Sequence, residues 1–274
     1  MIGIVAGQGD LPKLLVKKFI KKKISFIYIN LGPKKILKKN FYNYNIFEIS
    51  NILKVFKKNN CQKVILAGKV FRPSIHDFIF DKELIKLLPK ILLNYKKGDG
   101  HLLDVVINFF KKNKITVISC INYLSELKAE NFISINKPNK QDLLDINKGV
   151  KLLNHINTKF DVGQSAIINK GYVVAIEGAS GTDSMINNSI KIQKKINKNN
   201  YSGVLIKIPK KKQDLRVDLP TIGYRTIKNC IRAGIKGIAL KKNENIFLDQ
   251  NKSFDIIKKN NFFIKVIDWK KKFL

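Results

Sequence analysis

Short apolar segments alternate with amphipathic helical segments along the first half of the chain, and this alternation limits the folds open to it. Strands are predicted at residues 2–6, 24–31, 63–67 and 115–121, and helices from Pro12 and over residues 52–58, 83–95 and 102–112. Strands that alternate with helices favour a parallel sheet built from right-handed crossovers. We therefore predict an α/β protein of two domains, of which the N-terminal one is Rossmann-like.

The periodic pattern is interrupted at residues 129–139, where Ser, Asn, Lys and Pro replace the spaced apolar residues. We interpret this stretch as a linker between a Rossmann-like domain over residues 1–132 and a mixed α/β C-terminal domain over residues 133–274. In the second domain we predict a hairpin of residues 165–169 and 172–177, because Asn169-Lys170-Gly171 tolerates positive φ angles. Helices are predicted over residues 142–157, 184–194 and 221–233, and strands over 204–208, 235–240 and 263–267.

The net charge of +33 comes almost entirely from lysine, since only four of the 53 basic residues are arginine. The lysines run through every segment rather than forming a patch, which favours a solvated lysine-rich surface over a nucleic-acid-binding protein. We expect no nucleic acid partner, but weak peripheral attraction to an anionic membrane surface. No apolar run approaches the roughly 20 residues of a membrane span, and the first residues lack the features of a secretory signal. A cytoplasmic location is expected.

The cysteines and histidines give no sign of a disulfide framework or a zinc site. Cys61, Cys120 and Cys230 each lie near an apolar run, which predicts buried, reduced thiols. The three histidines lack the spacing of a helical zinc pair.

Two of the four arginines lie in the segment Asp-Leu-Arg-Val-Asp-Leu-Pro-Thr-Ile-Gly-Tyr-Arg at residues 214–225. A planar guanidinium can bind a carboxylate or phosphate through two hydrogen bonds, which a lysine cannot do. Arg216 beside Asp218 therefore indicates an anion-handling site. The alternative is a surface loop with an ordinary Asp–Arg pair.

Glycine turns follow two of the predicted strands in the first half. Gly7-Gln8-Gly9-Asp10 reads G-x-G-x-x-P, and Asn30 stands where a dinucleotide site would have an acidic residue, so Gly9 and Asp10 are better placed to line a cleft than to bind NAD. Ala-Gly-Lys-Val-Phe-Arg-Pro at residues 67–73 puts Lys69 and Arg72 beside a strand end, as an anion site requires. Asp99 begins a helix and could simply cap it.

Polar turns also flank the predicted hairpin of the second half. Gln164 lies in Asp-Val-Gly-Gln-Ser before the first strand, and Glu-Gly-Ala-Ser-Gly-Thr-Asp at residues 177–183 follows the second. Such a turn can present backbone N–H groups to a phosphate while its carboxylates hold Mg²⁺ or position water. Thr182 or Asp183 could also cap the following helix.

Taken in order, these motifs resemble the LpxI-type UDP-2,3-diacylglucosamine pyrophosphatases of lipid A synthesis. The resemblance rests on the segments beginning at Gly3, Ala67, Lys97, Asp161, Glu177 and Arg216, and it extends to about Gly237. It implies a two-domain, Mg²⁺-requiring enzyme in which water attacks the pyrophosphate to release UMP and 2,3-diacylglucosamine 1-phosphate. The sequence departs from the family pattern at Gln8, Gly100 and Ser165.

The resemblance implies that Asp218 is the catalytic aspartate and that Thr182 and Asp183 face the substrate. With the residue-based candidates, the expected substrate-binding set is Gly9, Asp10, Lys69, Asp99, Gln164, Thr182, Asp183 and Arg216. The metal ligands are not assigned, a homodimer is left open, and peripheral attachment to the inner face of the inner membrane is an alternative to a purely cytoplasmic location. A non-catalytic regulator that binds a nucleotide sugar is the rival function.

Overall fold

The fold is described from a computed structural model covering residues 1–70, 81–95, 99–132, 134–160, 162–197, 201–211 and 213–268. The side chains of Tyr95, Asp99, Thr158 and Lys159 are not part of this description. Arg72, Lys97 and Asp161, which the sequence analysis singled out, lie outside the described residues. The chain forms two compact units, Met1–Ser125 and Glu126–Leu274.

The first unit is built on a five-stranded parallel sheet. Its strands are β1 (Ile2–Ala6), β2 (Phe26–Asn30), β3 (Phe41–Asn43), β4 (Lys63–Ala67) and β5 (Thr116–Val117), in the order β3-β2-β1-β4-β5. All four neighbouring pairs are parallel. The chain moves outward from β1 to β3 and then returns to place β4 beside β1, which is the strand order of a Rossmann-like fold. The Rossmann-like prediction is confirmed.

Among the described residues of this unit, four α-helices connect the strands: α1 (Leu11–Lys21), α2 (Ile49–Lys58), α3 (Lys82–Tyr95) and α4 (Asp99–Lys112). Apolar side chains at helical spacing, such as Leu15 and Phe19 of α1, are fully buried. The starts of α2 and α3 are joined by Asp81, whose carboxylate accepts hydrogen bonds from the Ser50 hydroxyl at 2.7 Å and from the backbone N–H of Leu84 at 3.0 Å.

The second unit has a mixed five-stranded sheet in the order β12-β10-β8-β6-β7. Its strands are β6 (Ser165–Asn169), β7 (Tyr172–Ile176), β8 (Val204–Lys207), β10 (Gly237–Lys241) and β12 (Phe263–Ile267), and β9 (Thr221–Ile222) pairs with β11 (Ile246–Phe247) in a second sheet. The helices are α5 (Lys140–Lys159), α6 (Thr182–Asn197), α7 (Tyr224–Arg232) and α8 (Gln250–Lys259). Strands β8, β10 and β12 are parallel, whereas β6 is antiparallel to β7 and β8.

The predicted hairpin is confirmed as the β6–β7 pair. Lys170 and Gly171 have φ angles of 48° and 82°, the positive values that a tight hairpin turn needs. The buried carboxylate of Asp145 accepts hydrogen bonds from both of their backbone N–H groups, at 2.9 and 2.8 Å. This contact fixes the hairpin against α5.

Two further observations concern the cysteines and the length of the helices. All three cysteines are buried and unpaired, as their apolar surroundings predicted, and burial raises the pKa of Cys120 to about 11. None of the described helices is long and apolar enough to cross a membrane.

Candidate functional site

In the first unit, the loops that leave β1 and β4 are joined where the strand order reverses. The backbone N–H of Gln8 donates to the Lys69 carbonyl at 2.8 Å, and the N–H of Lys69 donates back to the Gln8 carbonyl at 2.8 Å. A Cβ on Gly7 would lie 2.5 Å from the Lys69 carbonyl oxygen, and one on Gly68 would lie 2.7 Å from the Gln8 carbonyl oxygen. Glycine at both positions is therefore what allows the two loops to approach this closely.

This edge of the sheet is where open α/β folds bind their ligands, beyond the carboxyl ends of the strands. It holds three of the expected site residues, Gly9, Asp10 and Lys69, and all three are exposed. Gly9 has a φ of 114°. Asp10 directly precedes α1, and its carboxylate binds the ammonium of Lys13 in the first turn of that helix at 2.9 Å. Asp99 is the first residue of α4.

Asn30 argues against a dinucleotide site at this edge. Its side chain is buried and donates to the Lys34 carbonyl at 2.7 Å and to the Asn43 side-chain oxygen at 2.8 Å, while its own oxygen accepts from the N–H of Gly32. Asn30 is thus engaged in holding its own loop rather than facing a ribose.

In the second unit, the clearest chemical feature is a buried lysine at the end of a central strand. Lys207 is the last residue of β8, and it is only 8 % exposed. Its ammonium group donates a hydrogen bond of 2.6 Å to the Thr182 hydroxyl at the start of α6. Burying an ammonium is costly unless it is paired and hydrogen-bonded, so the surroundings of Lys207 must supply compensating charge.

Three carboxylates supply that charge. Burial lowers the pKa of the Lys207 ammonium, and the negative charges of Glu177, Asp183 and Asp218 act in the opposite direction. The carboxylates come from the end of β7, the first turn of α6 and the loop that precedes β9. Chain segments far apart in sequence therefore meet around one cation.

Hydrogen bonds connect Lys207 to Asp218 through intermediate groups, a set that we call the Lys207–Asp218 network. The Thr182 hydroxyl, which accepts from Lys207, is 3.0 Å from a carboxylate oxygen of Glu177, to which it donates. The other oxygen of Glu177 accepts from the backbone N–H of Gln164 at 3.2 Å. The Gln164 side-chain amide in turn donates to the Asp218 carboxylate at 3.2 Å. Gln164, Thr182 and Asp218, all predicted from sequence, are thus held together.

The loop that carries Asp218 is held by contacts that the sequence did not predict. The Arg216 guanidinium binds the Asp214 carboxylate through its Nε and Nη2 atoms, at 3.0 and 2.6 Å. The sequence placed Arg216 beside Asp218 as an anion-handling group, and the structure adds Asp214 as a partner of the guanidinium. The backbone N–H of Asp218 donates to the Asp214 carbonyl at 3.1 Å, and Gln213 donates to the Asp218 carbonyl at 2.7 Å. Asp214 and Gln213 therefore shape the loop.

Asp183 lies beside the network in the first turn of α6. Its carboxylate is 3.3 Å from Nε of Arg225, and the Thr226 hydroxyl approaches it at 3.4 Å. Arg225 is largely exposed, with 83 % of its side chain accessible. A mostly solvated guanidinium of this kind can exchange a carboxylate partner for a phosphate at little cost.

The chemistry of these donors can be compared with what a magnesium ion needs. Among the residues that the structure describes, no three His, Cys, Asp or Glu side chains form a ready-made metal cage. Mg²⁺ usually keeps several waters and binds through one or two carboxylates together with substrate phosphates. Carboxylates such as Asp183 and Asp218 fit that mode of binding.

Lys207 was not among the site residues predicted from the sequence. A single lysine at the end of the apolar strand Val-Leu-Ile-Lys looks like one more solvated lysine in a chain that has many. The signal in the sequence that could have found it is its position, since Lys207 stands inside an apolar run, between Ile206 and Ile208.

Comparison with known proteins gives two further findings. A family model described as the LpxI N-terminal domain matches residues 1–127, and one described as the LpxI C-terminal domain matches residues 129–265. A curated protein of Caulobacter vibrioides named UDP-2,3-diacylglucosamine pyrophosphatase LpxI is 30 % identical over 243 residues, which is 86 % of each chain.

Proposed function

The chain belongs to the LpxI family, and from this membership we propose that it hydrolyses the pyrophosphate of UDP-2,3-diacylglucosamine in lipid A biosynthesis. The products are UMP and 2,3-diacylglucosamine 1-phosphate. The curated relative carries the same activity in its name. The observation that carries the proposal in this chain is the Lys207–Asp218 network, because a buried cation surrounded by carboxylates costs stability and is typical of a functional site.

The network suits attack on a phosphorus atom by water. Asp218 is the group that orients the water and accepts its proton as the new P–O bond forms, while the bridging P–O bond breaks and its electron pair leaves with the departing phosphate. Gln164 donates a hydrogen bond to one carboxylate oxygen of Asp218 and so helps to orient that carboxylate. The backbone N–H groups at the start of α6, next to the turn Gly178-Ala-Ser-Gly181, are suited to bind a phosphoryl oxygen.

Charge balance supports a divalent cation in the same reaction. Three carboxylates act on one buried ammonium, and Arg225 is the other cation described beside them, so these charges sum to a negative value before a pyrophosphate arrives. We propose that Asp183 would hold Mg²⁺ jointly with the substrate's pyrophosphate. When bound, the ion would neutralise charge on the phosphoryl oxygens. Lys69 and Arg216 remain proposed substrate-binding groups, together with Gly9, Asp10 and Asp99.

The test is release of UMP from UDP-2,3-diacylglucosamine by the purified protein, with Mg²⁺ and with a chelator. Replacing Asp218 by Asn should lower turnover by about 10²–10⁴-fold, the usual loss for a missing general base. Asp255→Asn on α8 is the matched control, because Asp255 is an exposed aspartate of the same unit outside the network. It should keep its turnover.

Two outcomes would contradict the proposal. Near-normal turnover of a folded Asp218→Asn enzyme would remove Asp218 from the chemistry. Tight binding of the substrate by the unaltered protein without any release of UMP would instead favour the non-catalytic regulator.

A further inference from the structure

Helix α3 presents large aliphatic side chains to solvent. Ile85, Leu92 and Leu93 are 41, 60 and 71 % exposed, and at 100° per residue they lie on one face of the helix, around Pro89. A helix on the surface of a globular protein normally turns such residues toward the core. A contiguous exposed group of them marks an interaction surface more often than isolated ones do.

These outward residues are not needed to dock α3 onto its unit. Leu84 is 2 % exposed and, with Leu87, Leu88 and Ile91, forms the opposite, inward face of the helix. The outward aliphatic residues are therefore additional to the packing that holds the helix in place.

Lysines share the outward face with the aliphatic residues. Lys82, Lys86 and Lys90 follow one another at four-residue spacing, and all three are exposed. The α3 sequence contains one acidic residue, Glu83, which binds Lys86 at 2.6 Å. The face is therefore both apolar and basic, and we call it the α3 face.

Positive charge extends from the α3 face to the neighbouring helix. A cleft of about 760 Å³ between α3 and α4 is lined by apolar residues such as Leu87 and Phe109 and by Lys90, Lys111 and Lys112, with Asp104 as the acidic residue among them. The side chains of Lys90 and Lys112 interact, and the repulsion between their ammonium groups lowers the pKa of Lys90. An anion placed between these two ammonium groups would relieve that repulsion.

We propose that the α3 face docks the protein on the surface of a bilayer that contains anionic lipids. A helix of this kind lies in the plane of the interface, with aliphatic side chains among the acyl chains and lysines at the level of the head groups. A second copy of the chain fits less well, because two lysine-rich faces would repel each other. The proposal rests on the proposed function in one respect: a diacylated substrate resides in a membrane, where docking would bring the enzyme to it.

The test measures co-sedimentation with vesicles of phosphatidylcholine alone and of phosphatidylcholine mixed with an equal part of phosphatidylglycerol. One variant carries Lys82→Gln, Lys86→Gln and Lys90→Gln, and its control carries Lys17→Gln, Lys21→Gln and Lys22→Gln near α1, which removes the same charge from exposed positions. The α3 variant should lose about fivefold in affinity for anionic vesicles per lysine. The control should lose much less.

A second pair of variants tests insertion separately from charge. Leu92→Ser with Leu93→Ser should weaken binding to anionic vesicles by about tenfold even at high salt, where a Debye length well below 10 Å screens the lysines. Ile20→Ser with Leu37→Ser, at residues that are 64 and 90 % exposed, is its control. If the leucine variant does not fold, the comparison of the α3 lysine variant with its lysine control still tests the proposal.

The proposal is overturned if the unaltered protein does not co-sediment with anionic vesicles, or if the α3 variants bind these vesicles as tightly as their controls do. It is also overturned if the unaltered protein is a dimer that the leucine variant dissociates, since the face would then be an interface between copies. Release of UMP from a short-chain, water-soluble analogue of the substrate should be unchanged in the α3 variants. If no form releases UMP, the proposed function fails while the vesicle result still stands.

Discussion

Lys207 pays the largest desolvation cost in the network, because it is buried whereas its carboxylate neighbours keep partial access to solvent. Replacing a buried ion pair with apolar groups is often neutral or stabilising, since the cost of removing the charges from water then disappears. A protein that retains such a cation gains something other than stability from it. We infer that Lys207 positions Thr182 and, through Thr182, Glu177.

We therefore expect the Lys207→Met variant to lose activity out of proportion to its loss of stability. The free energy of unfolding, measured with urea, should fall by about 1–3 kcal/mol, because the substitution removes only the cation and leaves its polar and acidic neighbours without it. The kcat for UMP release should fall by about 10²-fold or more, with a smaller change in KM, because the residue orders the reacting groups more than it binds substrate.

Lys236 offers the matched control, as a partly buried lysine whose ammonium binds Asp142 at 2.8 Å outside the network. Lys236→Met should lower stability by about 1–3 kcal/mol, since Asp142 loses its partner, and should leave kcat unchanged. A Lys207→Met protein that is destabilised but fully active per folded molecule would show that Lys207 is only structural.

The sequence pointed to candidate site residues in the second unit, but it did not show which of them contact one another. Gln164, Thr182, Asp183 and Asp218 stand in recognisable polar turns, yet the hydrogen bond from Gln164 to Asp218 spans 54 residues. The same limit applies to Arg216. Asp214 is as close to Arg216 in sequence as Asp218 is, and only the fold of the loop shows that Asp214 binds the guanidinium.

At the scale of elements, sequence patterns predicted correctly those structures that form between residues close together in the chain. The β6–β7 hairpin follows from a turn of residues that accept positive φ, and its strands are neighbours in sequence. Residues 221–222 were predicted as the start of a helix, but they form β9. They pair with β11, some 25 residues later in the chain, and a local pattern carries no information about such a partner.

Asp81 gives an element-scale prediction, because one carboxylate joins the starts of two helices. Burial would raise its pKa, but hydrogen bonds from Leu84, Ser50 and Glu83 outweigh that effect and lower it. A lowered pKa means that the stabilisation is fully present above the unfolded value near 3.8 and is lost as the pH falls through the folded pKa. Asp81→Asn should cost about 1 kcal/mol at neutral pH and progressively less as the pH falls below 3.8.

The measurement compares urea midpoints of the two proteins at neutral pH and near pH 3. Glu83→Gln is the control, because Glu83 forms an exposed pair with Lys86, and such pairs contribute about 0–1 kcal/mol. A cost of Asp81→Asn that is the same at both pH values would contradict the linkage.

At the scale of the whole molecule, the position of the boundary between the units is open to a direct test. The loss of apolar periodicity suggested a boundary between residues 132 and 133, whereas the compact units divide between Ser125 and Glu126. Residues 126–132 look like a linker in sequence because most of them are polar. Two of their three apolar side chains nevertheless belong to the core of the second unit, where Ala129 is fully buried and Phe132 packs against it.

The contacts of this short segment lead to a prediction about fragments. The Phe132 ring lies 4.8 Å from the ring of Phe247, and the N–H of Ala129 donates to the Asn245 carbonyl at 3.0 Å. The free energy of unfolding, measured with urea, should therefore be about 3–5 kcal/mol higher for a fragment of residues 126–274 than for one of residues 133–274. This difference is the usual cost of losing a buried aromatic side chain. Fragments 1–125 and 1–132 should be equally stable, because the extra residues have their core contacts in the other unit. If residues 126–132 stabilise the N-terminal fragment and add nothing to the C-terminal one, the boundary lies where the sequence pattern placed it, because the free energy of the segment would then belong to the first domain.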